Sequence, residues 1–203
     1  DMRSMKIDVN FAPVVDVNLH PDVNTIKDRS FGPDKNLVAD YGSAVMRGMQ
    51  DGGVVACAKH FPGHGDTEVD SHKALPVLKF PKERLDSVEL YPFRRLIKDG
   101  VEMVMVGHLL VPVLDTLPAS VSKVVVTDLL RKKMKFRGLI ITDALGMEGV
   151  LEPFGGSGAK ATLAAYKAGV DILLMPDNVS ESIDLIVDYI GDDRRKLKDL
   201  DAR

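Results

Sequence analysis

The segment KHFPGHGDTEVDSH, residues 59–72, concentrates side chains that could do chemistry, with three histidines, three acidic residues and one lysine. One interpretation is a metal site, because zinc needs only three or four imidazole and carboxylate ligands. Pro62, Gly63 and Gly65 exclude a helix, so the rigid spacing of four residues that a helix gives to ligand pairs is absent. We therefore expect no bound metal or other cofactor, and keep a metal-dependent hydrolase as an alternative. Its ligands would be drawn from His60, His64, Asp66, Asp70 and His72.

The other interpretation is a catalytic loop that follows a strand. Lys59 and His60 at the strand end could donate hydrogen bonds to the hydroxyl groups of a ligand. Asp70 and His72 are two residues apart, so in an extended loop their side chains project to the same side. The carboxylate could then hold one ring nitrogen while the other meets substrate, which would make the pair a proton donor and acceptor. A solvated or structural histidine is the plainer alternative.

Asp143 in GLIITDALGM is the second candidate. It follows an apolar strand, where a carboxylate is costly to bury unless it is paired or used. The plainer alternative is an N-cap for the next helix, although the glycines of ALGMEG break the chain first. Arg29 in DRSFG could bind sugar hydroxyls or a carboxylate, or it could pair with Asp16. His108 and Met147 carry weaker signals, since a methionine beside a glycine loop is more often a packing residue.

The elements that must position these residues alternate along the chain. Near-continuous apolar runs predict buried parallel strands, and amphipathic segments between them predict helices. The predicted strands are 7–17, 54–61, 103–111, 138–145 and 171–176, and the predicted helices are 34–51, 82–99, 122–135, 157–168 and 180–190. This α/β order suits an open doubly wound sheet or a (β/α)8 barrel of the TIM type.

The barrel is favoured because polar residues end the strands, where barrel enzymes place their chemistry. These residues are Asp16, His60, His108, Asp143 and Pro176. About five βα units cannot close a barrel of eight, so we expect an incomplete barrel, a single partial domain over residues 1–203, with the missing units mostly before residue 1. The opening DMRSMKIDVNF looks like a helix end running into a strand. Exposed sheet edges should then associate with one another unless they are covered.

Composition excludes several classes of protein. Hydrophobic residues make up 45% and charged residues 28% of the 203 residues, an ordinary globular balance. The net charge of -3 and the scattered basic residues argue against nucleic acid as a partner, and the apolar runs are too short for a membrane span. A single cysteine, Cys57, excludes an internal disulfide and is expected to be a buried strand residue. The partner that fits is a small, neutral molecule.

The chain resembles family 3 of the glycoside hydrolases, in its β-N-acetylglucosaminidase (β-hexosaminidase) branch. The resemblance runs in order through NFAPVVDVN, DRSFG, AKHFPGHGDTEVDSH, VMVGHLLVP, VSKVVVTDLLR, GLIITDALGM and AGVDILLMP, and it covers nearly the whole chain. The loop ending in DSH is specific to this branch. The resemblance implies a (β/α)8 barrel that hydrolyses nonreducing terminal β-linked N-acetylglucosamine in peptidoglycan or muropeptide fragments. It favours the bacterial cytoplasm over a periplasmic or secreted location.

The resemblance also implies roles for individual residues. Asp143 matches the nucleophile, and His72 matches the acid/base with Asp70 as its partner. The expected sugar contacts are Arg29, Lys59, His60 and Met147. Relative to the family this chain lacks the first strands, where a further sugar-binding Asp would lie. The alternative to an active enzyme is therefore an inactive truncated barrel, or a sugar-binding remnant that needs its missing part.

Overall fold

The computed structural model describes residues 2–20, 26–67 and 75–201. Its centre is a four-stranded parallel sheet in the order β1-β2-β3-β4. Each strand therefore pairs with the strand that precedes it in sequence, as successive βα units of a barrel wall do. The strands are β1 Val9–Asn10, β2 Val55–Phe61, β3 Met103–Val106 and β4 Leu139–Thr142. This open, sequentially ordered sheet is an incomplete barrel of the (β/α)8 type, which confirms the predicted fold class.

Helices follow the strands and cover one face of the sheet. The α-helices are α1 Lys35–Asp51, α2 Lys82–Arg84, α3 Leu90–Lys98, α4 Glu148–Leu151, α5 Gly158–Ala168, α6 Val179–Ile190 and α7 Arg194–Asp201. Leu85–Glu89 and Val124–Lys133 are π-helical, and 3₁₀ turns lie at Lys27–Arg29, Ala119–Val121 and Glu152–Phe154. The five predicted helices are thus present. Helix α7 was not predicted, because its sequence RRKLKDLD has too few apolar residues to show a helical period.

Polar caps fix the starts of the long helices. The side chain of Asp34 accepts hydrogen bonds from the backbone N–H groups of Asn36 and Leu37 at the start of α1. Ser157 caps α5 through the N–H of Lys160 in the same way. These contacts satisfy donors that a helix N-terminus leaves without an intrahelical acceptor.

The predicted strands 7–17, 103–111 and 138–145 are shorter in the structure, and the segment 171–176 forms an isolated bridge instead of a strand. The chain leaves β1 after Asn10 and meets β2 again at a single bridge between Val14 and Lys59. Pro13 interrupts the ladder between them because it has no N–H to donate. The predicted strand 171–176 meets β4 at one bridge, between Ile141 and Ile172. Beyond it, the backbone N–H of Leu174 donates to the Thr142 side chain instead of to a backbone carbonyl.

The two faces of the sheet bury different clusters. Alternate strand residues such as Ala58, Val104 and Ile140 pack with the helices in what we call the helix-facing core. The other alternate residues form the lumen cluster, which consists of Cys57, Met103, Met105 and Ile141 with Val55, Ile172 and Leu174 packed against them. Alternation along a strand sends successive side chains to opposite faces, so the lumen cluster marks the interior side of the barrel wall.

The edge and outer surface leave several apolar side chains exposed. Ile7 and Val9 are exposed beside β1, and Val179, Ile183 and Val187 form an exposed stripe along α6. Self-association through the sheet edges stays a prediction. Among the described helices, none combines the length and the hydropathy that crossing a membrane requires.

Candidate active site

Asp143 lies at the carboxyl end of β4, on the lumen side. It is two residues after Ile141, a member of the lumen cluster, so alternation directs its side chain to the same side. Its backbone N–H donates to the carbonyl of Val106 at 2.9 Å, which ties it to the end of β3. Its Oδ1 accepts a hydrogen bond from the N–H of Ala144 at 2.8 Å. The carboxylate is half-buried and oriented by the backbone that follows it.

Lys59 lies near the carboxyl end of β2 and interacts electrostatically with Asp143 at the end of β4. Burial lowers the pKa of the Lys59 ammonium, the Asp143 carboxylate opposes that shift, and the Arg29 guanidinium adds to it. Lys59 therefore lies within electrostatic range of both the carboxylate and the guanidinium. Three residues of the predicted site, Arg29, Lys59 and Asp143, are thus close enough for Lys59 to interact with both of the other charges.

A register shift in β2 changes which way His60 faces. Ala58 is opposite Val104, but Phe61, not His60, is opposite Val106, so one extra residue lies in β2 between these pairs. Phe61 consequently belongs to the helix-facing core. Bulges of this kind re-aim side chains near active sites. Strict alternation would have sent Lys59 and His60 to opposite faces, and the shift lets His60 turn toward the rim.

Asp16 holds His60 in place. Its carboxylate is fully buried and accepts hydrogen bonds from the His60 backbone N–H at 3.1 Å and from His60 Nδ1 at 2.8 Å. It also accepts the backbone N–H of His64 at 2.7 Å. Burial by itself would raise the pKa of the Asp16 carboxyl, but the charges and donors of His60 and His64 outweigh it and lower that pKa below its usual value. The carboxylate thus stays ionised, and Nδ1 of His60 carries the proton it donates.

The start of the glycine-rich loop is also anchored. The Thr67 hydroxyl lies 2.6 Å from His64 Nδ1, and burial lowers the pKa of the His64 ring. A Cβ on Gly65 would lie 2.1 Å from the carbonyl oxygen of Val17, so only glycine fits this close approach.

An ion-pair network holds Asp66, the residue after Gly65 in this loop. Arg84 donates to Asp66 at 3.1 Å and to Glu89 at 2.9 Å, and Asp66 lies 3.2 Å from Nε2 of His20. Burial raises the pKa of the Glu89 carboxyl. The loop base is therefore tied to α2, to the π-helical stretch after it and to the segment after β1.

Comparison with known proteins identifies the family. The model of the glycosyl hydrolase family 3 N-terminal domain matches residues 1–202. The chain belongs to glycosyl hydrolase family 3. Beta-hexosaminidase A of Pseudoalteromonas piscicida is 37% identical to it over 198 residues, which are 91% of this chain and 33% of that protein. The beta-hexosaminidase of Methylobacillus flagellatus is 35% identical over 184 residues, 89% of this chain and 52% of that protein.

A solved structure of the same family superposes closely. The glycoside hydrolase family 3 beta-N-acetylglucosaminidase from Paenibacillus sp. str. FPU-7 matches with a TM-score of 0.92 and 37% identity, over 100% of this chain and 40% of that one. The present chain therefore spans between a third and about half of the length of these relatives.

The remaining predicted residues of this family 3 chain fall in three places. Asp70 and His72 lie outside the described residues. Met147 is buried and precedes α4, where its N–H donates to the Ala144 carbonyl at 3.1 Å. His108 is buried against Ser120 and the same carbonyl. Asp143 is not the N-cap of the next helix, since α4 begins only at Glu148.

The contacts bear on two alternatives considered from sequence. The buried Asp16 carboxylate accepts hydrogen bonds from His60 and His64, and its suggested pairing with Arg29 stays a prediction. Of the proposed metal ligands, His60, His64 and Asp66 are described. Within the described ranges no three His, Cys, Asp or Glu side chains converge as metal ligands would.

Sequence reasoning missed Thr67, Arg84, Glu89 and Ser120. Thr67 had a local signal, since it lies three residues after His64 and can reach back to it. Arg84 and Ser120 carry no such signal, because their partners Asp66 and His108 are distant in sequence. Glu89 lies five residues after its partner Arg84, a spacing that does not by itself indicate a contact.

Proposed function

We propose that this chain carries the catalytic barrel of a retaining exo-β-N-acetylglucosaminidase, with residues 1–203 as one partial domain. The observation that carries the proposal is the Asp143 carboxylate, oriented by the Ala144 N–H at the end of β4 and within electrostatic range of the Lys59 ammonium. Barrel enzymes place their chemistry at this end of the strands. The names of the relatives, beta-hexosaminidase and beta-N-acetylglucosaminidase, support the sugar class. Peptidoglycan or muropeptide fragments would be the natural source of the terminal sugar.

In the first chemical step, a carboxylate oxygen of Asp143 attacks the anomeric carbon while the bond from that carbon to the leaving oxygen breaks. His72, protonated and paired with Asp70, gives its proton to the leaving oxygen. A covalent glycosyl-enzyme results. The Lys59 ammonium lies within electrostatic range of the Asp143 carboxylate and could donate hydrogen bonds to the sugar bound beside it.

In the second step, neutral His72 takes a proton from water, and the water oxygen attacks the anomeric carbon. The bond to Asp143 breaks and the carboxylate is released. Arg29, Lys59 and His60 would hold the hydroxyl groups of the sugar. Because Nδ1 of His60 is bound to Asp16, His60 would contact the sugar through Nε2. Met147 would act through packing beneath the loop that follows Asp143, since it is buried.

The decisive experiment traps the intermediate in the purified protein. A fluorosugar analogue of N-acetylglucosamine with a fluoride leaving group should label the peptide that contains Asp143, as read by mass spectrometry. Nitrophenyl N-acetylglucosaminide should be cleaved and nitrophenyl glucoside should not. Asp143→Ala should lower turnover by at least about 10³-fold on any substrate, because no other group replaces the nucleophile.

The matched controls separate the roles. Asp128→Asn removes an exposed carboxylate that pairs with Lys132 and should leave turnover unchanged. His72→Ala should slow natural substrate far more than the nitrophenyl glycoside, which needs little proton assistance. Equal losses on both substrates would contradict the acid role. A wild-type protein that binds the sugar without labelling or release would favour a sugar-binding remnant.

A further inference from the structure

His108 is a buried histidine that the proposed chemistry does not use. It follows β3 by two residues, and its side chain is fully buried although imidazole is polar. Buried polar groups in folded proteins are held by hydrogen bonds, and the partners of such a group indicate what it orients. The partners of His108 lie on two different segments, the 3₁₀ turn at Ala119–Val121 and the loop after β4.

The contacts fix the proton positions on the ring. Nε2 lies 2.9 Å from the carbonyl oxygen of Ala144, and a carbonyl can only accept, so Nε2 carries a proton. In a neutral ring Nδ1 is then the acceptor, and it takes the hydroxyl proton of Ser120 at 2.7 Å. Ser120 is also fully buried. The Ala144 carbonyl therefore selects the tautomer, and the Ser120 hydroxyl satisfies the other ring nitrogen.

Ala144 is the residue that orients the proposed nucleophile. Its N–H donates to Oδ1 of Asp143 at 2.8 Å, while its carbonyl accepts from His108 and from the N–H of Met147. The Ala144 N–H thus binds the Asp143 carboxylate, and the Ala144 carbonyl binds the His108 imidazole. A change in the His108 contact would rotate the loop that holds the Asp143 carboxylate.

We infer that His108, with Ser120, is a positioning residue for Asp143, acting through the backbone of Ala144. The inference rests on the proposed function, because it assigns His108 a role in the attack of Asp143 on the anomeric carbon. The contacts of His108 with Ala144 and Ser120 act on the backbone beside Asp143, so its effect belongs to the geometry of the first step. A small misplacement of a reacting group costs about 10²-fold in rate.

The test compares variants of the purified protein that keep or remove the donor. His108→Gln places an amide N–H near the position of Nε2, and His108→Leu removes the donor. Ser120→Ala removes the hydroxyl that holds Nδ1 of His108. Thr162→Val is the matched control, because the buried Thr162 hydroxyl likewise donates to a backbone carbonyl, that of Gly158 at 2.8 Å, in α5.

The measured quantities are the rate of fluorosugar labelling, kcat and KM on the nitrophenyl glycoside, and thermal unfolding. For His108→Leu we expect labelling and kcat to fall about 10²-fold with KM within about threefold, since the loss is in the transition state. His108→Gln should regain at least about tenfold of that loss, and Ser120→Ala should fall between the two. Thr162→Val should stay within about twofold of wild type in kcat.

Several results would overturn the inference. Labelling of His108→Leu at the wild-type rate would do so, as would a Gln variant no better than the Leu variant at equal folded fraction. A Thr162→Val variant that loses as much kcat would reduce His108 to a general stability role. If the wild-type protein is never labelled at Asp143, the proposed function itself fails, and that result is distinct from a labelled wild type with unaffected variants.

Discussion

The two faces of the central sheet are built from different side chains for different tasks. The helix-facing core joins strand residues to helices through Val, Leu and Phe, and it is large and continuous. The lumen cluster is small and contains Cys57 and two methionines, Met103 and Met105, which fill irregular spaces. At the rim the lumen side continues into charged groups, Lys59 and Asp143. The helix-facing core thus supplies stability, and the lumen cluster is the floor beneath the proposed chemistry.

Asp16 shows the same division within three residues. Val15 and Val17 belong to the helix-facing core. The carboxylate of Asp16, between them, accepts hydrogen bonds from His60 and His64 at the rim. A buried carboxylate is tolerated only when donors surround it. The hydrogen-bond network of the rim therefore depends on the single Asp16 side chain, whereas the packing of the helix-facing core is shared among many side chains.

The largest stability effect is expected from Asp16→Asn. The amide would turn an N–H group toward a donor or leave one donor unsatisfied, and each buried donor left without an acceptor costs about 1–3 kcal/mol, with several donors affected here. Because the folded-state pKa of Asp16 is below its usual 3.8, its stabilisation is present above that value and is lost as pH falls through the folded-state pKa. Urea unfolding from neutral to acidic pH measures both parts.

The control for Asp16→Asn is Asp34→Asn, since the exposed Asp34 caps α1 and an Asn side chain caps a helix equally well. The gap in unfolding free energy between wild type and Asp16→Asn should become smaller as the pH falls. A gap that is constant over the whole pH range would show that the ionised carboxylate is not what stabilises the rim.

Leu130→Ala should lower stability while leaving the chemistry of the folded molecules intact. Leu130 is fully buried in the helix-facing core, and truncating such a leucine costs about 2–5 kcal/mol through lost burial and the cavity left behind. Denaturant titration measures the loss, and kcat per folded molecule on the nitrophenyl glycoside measures the chemistry. Leu37→Ala, on the exposed side of α1, should cost under about 1 kcal/mol. A fall in kcat for Leu130→Ala would mean that the two faces are not independent.

Much of this division could be predicted from sequence. Apolar runs gave the parallel strands, and the polar residues that end them gave Lys59, His60 and Asp143 as rim residues. These inferences succeed because strand alternation and barrel topology are local or generic rules. The resemblance to family 3 added roles that the pattern of residues alone left open.

What sequence could not supply depends on register and on distant partners. Nothing in the sequence KHF indicates the extra residue in β2 that turns His60 toward Asp16. The hydrogen bonds that Asp16 accepts from His60 and His64 follow from that shift and from the course of the loop after it. His108 likewise gave a weak signal, because Ser120 and Ala144 come to it only through the packing of two loops.

The smallest effect is expected from Cys57→Ala on the lumen face. Cys57 is fully buried in the lumen cluster, and burial raises the pKa of its thiol to about 12. Replacement by Ala removes one sulfur atom from a cluster with adaptable methionines beside it, so the loss of unfolding free energy should be about 1 kcal/mol.

Because Cys57 is the single cysteine, a thiol reagent at mildly alkaline pH reports on it alone. Labelling should be negligible in the native protein and should rise with urea in step with global unfolding, since a thiol must be exposed and ionised to react. Rapid labelling without denaturant would mean that reagent reaches the lumen cluster from the rim, and the lumen would then be an open channel instead of a packed floor.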